Sequence, residues 1–125
     1  MQLKKHQEAG GHGGSCCADV FGEEGDQNSG LQSTVPESMK AFGALLTSVT
    51  ATGKVDKRVK ELIIFSLVLT QRCEACVHMH YDKALGMGIT KEELDEAAWC
   101  AVLIGGAPVK MFYSRYLDSR KGKVS

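Results

Sequence analysis

The chain has 125 residues, 43% of them hydrophobic and 24% charged, an ordinary balance for a globular protein of one domain with one modest core. Its 15 basic and 15 acidic residues cancel, which leaves no net field to recruit nucleic acid or an anionic membrane. The longest apolar stretch, Leu62 to Leu69, is broken by Ser66 and falls far short of the ~20 residues a bilayer span needs. Lys4 and Lys5 are followed by no apolar run, so no secretory signal is expected and a cytoplasmic location is.

Residues 1–33 show no helical or strand periodicity. Gly10-Gly11-His12-Gly13-Gly14 and Asp26-Gln27-Asn28-Ser29-Gly30 mark them as a glycine-rich arm, held, if ordered, by contacts to the domain or to another subunit. A domain is expected over 34–118 and a C-terminal tail over 119–125. Pro36 suits a first helical position, and Met39, Phe42, Leu45, Leu46 and Val49 then recur at spacings of three and four up to a stop at Gly53. Asp56 can open the next element, which runs to Thr70. Ile63, Ile64 and Val68 would suit a buried strand, but length and neighbouring patterns favour a buried helix. A turn at 70–72 leads to a helix from Cys73 to Leu85, stopped by Gly86 and Gly88. Thr90-Lys91-Glu92-Glu93 reads as a capping box for a helix through Leu94, Ala97, Ala98 and Ala101. Gly105-Gly106-Ala107-Pro108 breaks or kinks it, and a last helix runs from about Pro108 to Asp118. The fold class is all-α.

Five cysteines are many for this length, and the number is odd. In a reducing compartment such cysteines point to reactive or metal-binding roles before a structural framework. Cys73-Glu74-Ala75-Cys76 puts two sulfurs one turn apart on one helix face, at a predicted N-terminus and next to Arg72. Helix N–H groups and a cation both favour the thiolate, the attacking species in disulfide exchange and peroxide reduction. His80 follows Cys76 by one turn on the same face and can take a thiol proton, directly or through a water. His78 points away from that face and is a surface or packing residue.

Glu61 precedes Cys73 by twelve positions, which on one continuous helix would be about 18 Å, too far for a relay. With a turn at 70–72, Glu61 and His80 each lie about 13 Å up antiparallel helices and face each other at one level. A carboxylate there can orient the imidazole and raise its basicity. Two other readings of the cysteine pair remain open. The sulfurs can be ordinary buried side chains, or Cys73, Cys76, His80 and Glu61 can form a zinc-type ligand set.

Glu61, the CxxC of Cys73 and Cys76, and His80 four residues on resemble the signature of alkylhydroperoxidase D and its relatives in the carboxymuconolactone decarboxylase family. The resemblance covers about residues 34–118. It implies an all-helical domain with a helical-hairpin active site, assembled as a homotrimer or homohexamer. It further implies Cys76 as the attacking thiol that passes through a sulfenic acid, and Cys73 as the partner that closes a redox-active disulfide. His80 and Glu61 would form a proton relay through a bound water. No separate cofactor is expected. A peroxide or a disulfide would be the substrate, and a dithiol or thioredoxin-like carrier the electron donor. The alternatives are a lactone decarboxylase, which needs no cysteine pair, and a metal-binding helical oligomer. Ala75 stands where alkylhydroperoxidase D often has a second histidine, and the arm with Cys16-Cys17 lies outside the family pattern.

Cys16 and Cys17, near His6 and His12, can be an auxiliary redox relay, an intersubunit disulfide, a metal trap or merely exposed thiols. Cys100 falls on an amphipathic helix and is expected in the core. Met79, Met87, Trp99, Phe112, Tyr113 and Tyr116 are expected in core or interface packing.

Overall fold

A computed structural model describes residues 34–124, so the glycine-rich arm with Cys16 and Cys17 lies outside the described residues. The chain divides after Ala51 into two compact units. The first contains α1 (Pro36–Thr50), which starts on the proline as its composition predicts. Its stripe of Phe42, Leu45 and Val49 is exposed.

The second unit contains α2 (Lys57–Gln71), α3 (Glu74–Gly86), α4 (Lys91–Gly105) and α5 (Ala107–Val124). The ambiguous 56–70 segment is helical. Asp56 caps it by accepting the Val59 N–H at 2.9 Å, and Glu61, Phe65 and Leu69 form its buried edge at successive turns. α2 is the central element, packed against α3, α4 and α5. Ser66 ties it to α4 by donating its hydroxyl to the Ala97 carbonyl at 3.0 Å. The core runs through Phe65, Leu69, Val77, Ile89 and Leu94, which are almost wholly removed from water.

The α2–α3 turn is closed by Arg72 in the left-handed region, φ 54°. The Arg72 N–H returns to the Leu69 carbonyl at 3.0 Å and the Cys73 N–H to Val68 at 3.4 Å, satisfying carbonyls that the last turn of α2 would leave open. α4 begins with the predicted capping box, in which Thr90 and Glu93 each bind the other's backbone N–H. Gly106, at φ +80°, separates α4 from α5.

Two expectations are corrected. The last helix does not end at Asp118 but continues through Val124. Arg120 holds the extension by donating to Asp82 at 2.8 Å and to the Tyr116 hydroxyl at 3.1 Å, with its guanidinium over the Tyr81 ring. Cys100 is exposed, not in the core. Leu94, Ala98 and Ala101 define the inward face of α4, which turns Cys100 and Trp99 outward. Phe112, Tyr113 and Tyr116 are core residues, as expected.

Candidate active site

The α2–α3 hairpin brings together the residues that the sequence singled out. Cys73 is the N-cap of α3 and Cys76 lies in its first turn; the two are joined by a disulfide, their Cα atoms 5.2 Å apart. Cys73 Sγ also accepts the Cys76 N–H at 3.3 Å, so one sulfur of the bond sits on the N-terminal donors of the helix. Both cysteines are half-buried, accessible at the end of the hairpin.

One turn beyond Cys76, His80 points into the interface with α2. Its Nδ1 lies 2.6 Å from Glu61 Oε2, and the two side chains are 3% and 2% exposed. The level match follows from the hairpin: Glu61 and His80 occupy the facing edges of two antiparallel helices, roughly equidistant from the turn at 70–72. With the ionised carboxylate accepting from Nδ1–H, the second ring nitrogen, Nε2, is the one able to exchange a proton with another group.

A third residue, not anticipated from the sequence, completes this cluster. Lys83 Nζ lies 3.4 Å from Glu61 Oε1, so each carboxylate oxygen faces a nitrogen of α3. The available signal was spacing: Lys83 follows His80 by three positions and therefore shares its face. A lysine near the end of a helix otherwise reads as a solvated charge.

The other side of α3 is aromatic. His78 meets the Tyr116 ring edge-on at 4.7 Å, a packing role, while Tyr81 contacts Phe65 and Tyr116. Burial, as the main cause, raises the pKa of Tyr81, Tyr113 and Tyr116 above the ordinary tyrosine value. Tyr113 is raised further by donating its hydroxyl to Asp95 at 2.9 Å. On the surface, the Arg58 guanidinium at 2.6 Å holds the Glu93 carboxyl down at about 2.

Among the described residues, no set of three or more His, Cys, Asp or Glu side chains is arranged to hold a metal ion. Nor is any helix among them long and apolar enough to cross a membrane.

The family model of the carboxymuconolactone decarboxylase family matches residues 36–118, from the first residue of α1 into α5. The chain belongs to that family. A carboxymuconolactone decarboxylase family protein from Legionella pneumophila has a similar structure, with a TM-score of 0.65 and 32% identity, over 73% of this chain and 81% of that one. A structure from Thermotoga maritima is similar at a TM-score of 0.62 and 27% identity, over 74% and 89% of the two chains. An uncharacterised protein of Cupriavidus necator is 33% identical over 91 residues, 73% of this chain and 80% of the relative. The helical hairpin that carries Glu61, Cys73, Cys76 and His80 thus lies inside the region that matches this family.

Proposed function

We propose that this member of the family is a thiol–disulfide oxidoreductase of the alkylhydroperoxidase type, cycling Cys73 and Cys76 between dithiol and disulfide. The observation that carries the reading is a disulfide at the N-terminus of α3 with a buried Glu61–His80 pair one turn behind it. A structural disulfide needs no acid–base pair at its back, and a lactone decarboxylase needs no disulfide.

In the peroxide half-reaction, neutral His80 takes the proton of Cys76 and the thiolate attacks the distal peroxide oxygen. The O–O bond breaks, Cys76 becomes a sulfenic acid, and the departing alkoxide takes the proton back as an alcohol. The Cys73 thiol then displaces hydroxide from the sulfenic sulfur, giving the disulfide and one water. A dithiol or thioredoxin-like donor returns two electrons and two protons by exchange through a mixed disulfide. A disulfide substrate would oxidise the pair by the same exchange run in the opposite direction. Glu61 orients the His80 ring through the 2.6 Å contact at Nδ1, and with Nδ1 as the protonated nitrogen the base is Nε2.

Self-association as a homotrimer or homohexamer is part of this reading. It is supported by apolar side chains left open on the described surface: Ile63 and Leu67 on α2, and Trp99, Leu103 and Ile104 on α4, the last two each 81% exposed.

The test is steady-state reduction of peroxide and of disulfides by the full chain with a panel of dithiol donors. Cys76→Ser should abolish both activities. Activity unchanged in that variant would remove the proposed nucleophile.

A further inference from the structure

Glu61 is 2% exposed, and a carboxylate buried to that extent requires a counter-charge. α3 offers two. His80 approaches Oε2 at 2.6 Å and Lys83 approaches Oε1 at 3.4 Å. The two are not equivalent. His80 supplies positive charge only as imidazolium, and an imidazolium has no lone pair with which to accept a thiol proton. If His80 were the sole counter-charge, the ring that should serve as base would be held in the form that cannot act as one.

We propose that Lys83 is a positioning residue of the relay: it supplies the charge that balances Glu61, so that His80 stays neutral with Nδ1–H toward the carboxylate and Nε2 as acceptor. This assignment rests on the reading of His80 as the base for Cys76. Lys83 is suited to the role because its side chain is 20% exposed, so its ammonium keeps contact with water while reaching the buried oxygen. Spacing places it there, since residues 80 and 83 share one face of α3.

The surrounding charges have other engagements. On α2, Arg58 pairs with Glu93 of α4. On α4, Asp95 takes Lys91 and the Tyr113 hydroxyl. On α3, Asp82 takes Arg120 of α5, and His78 lies against Tyr116. The oxidised Cys73–Cys76 pair does not titrate.

The experiment is an NMR titration of the ¹⁵N-labelled His80 ring in the disulfide form of the full chain. It compares wild type with Lys83→Met, which keeps the aliphatic stem, Lys83→Gln and Lys83→Arg. In its neutral form the wild-type ring should carry its proton on Nδ1. Loss of the cation in Lys83→Met and Lys83→Gln should move the His80 midpoint upward by about one pH unit or more, and Lys83→Arg should hold it near wild type. A merely structural Lys83 would change the melting temperature without moving the midpoint. Midpoints in the Met and Gln variants equal to wild type would overturn the proposal, and either variant suffices if the other fails to fold. The readout does not depend on turnover. A chain without Cys76-dependent activity but with a Lys83-sensitive His80 would therefore sink the redox reading and support the charge role.

Discussion

Glu61→Ala is the perturbation that most directly weighs the buried cluster. It removes a 2.6 Å contact to His80, a 3.4 Å ion pair to Lys83 and the carboxylate's place in the α2–α3 interface. Lys83 adds little to the cost of this variant, because once the carboxylate is gone its ammonium, 20% exposed, can turn into water. The His80 part is larger. A ring 3% exposed loses the carboxylate that faces its Nδ1, which costs about 1–3 kcal/mol. Loss of one buried methylene adds about 0.8 kcal/mol. Together these give a destabilisation of about 2–4 kcal/mol, at or just below the ~3–5 expected when a fully enclosed ion pair loses one partner.

The assay is urea denaturation at pH 7 followed by helical circular dichroism, with every variant in the disulfide form. A double-mutant cycle with His80→Ala isolates the pair, and its coupling should be about 1–3 kcal/mol. A loss below about 1 kcal/mol in Glu61→Ala, or single losses that simply add, would refute the reasoning. Either result would mean that the two side chains sit in solvent-like surroundings and not in a sealed relay.

Two further expectations test the frame around the site. Arg72→Gly should stabilise the chain by about 0.5–1 kcal/mol, because a left-handed residue without a Cβ avoids a penalty that outweighs glycine's extra freedom in the unfolded state; an unfolding midpoint in urea at or below wild type would contradict this. All three tyrosines, Tyr81, Tyr113 and Tyr116, have raised folded-state pKa values. Their contribution to stability is therefore fully present below the unfolded value of 10.0 and is lost as pH rises above it. Tyrosinate absorbance should lag behind that of free tyrosine and then appear together with loss of helical signal. A smooth titration centred near 10 in a chain that stays helical would show that burial does not govern these hydroxyls.

The helices and their order were legible because their punctuation is local: a proline at the head of α1, an Asp56 cap, the Thr90–Glu93 box and glycines at the ends of α3 and α4. The Glu61–His80 pairing was legible for a different reason. Once the turn at 70–72 is accepted, distance along each helix converts directly into height, and two residues at equal height on facing edges must meet. The facing of Cys100 was misread because α4 is rich in alanine, which marks its inner face weakly; Leu94, Ala98 and Ala101 set the register, and Leu103 and Ile104 are turned to solvent. The length of α5 was misread because its last turns are polar and are held by long-range contacts of Arg120, which no local pattern encodes.

Lys83 shows why a relay is harder to read than its parts. Spacing can say that residues 76, 80 and 83 share a face, but the meaning of that face depends on the charge state of a carboxylate carried by another helix. The same lysine beside an exposed glutamate would be an ordinary surface ion pair of little consequence. Beside one sealed at 2% exposure it bears on which of two nitrogenous side chains balances the buried charge, the division on which the proposed base role of His80 rests. The cysteine pair marks where chemistry can occur. In the proposed mechanism, the division of charge behind it, set by the level match across the 70–72 turn, determines whether a thiol proton has somewhere to go.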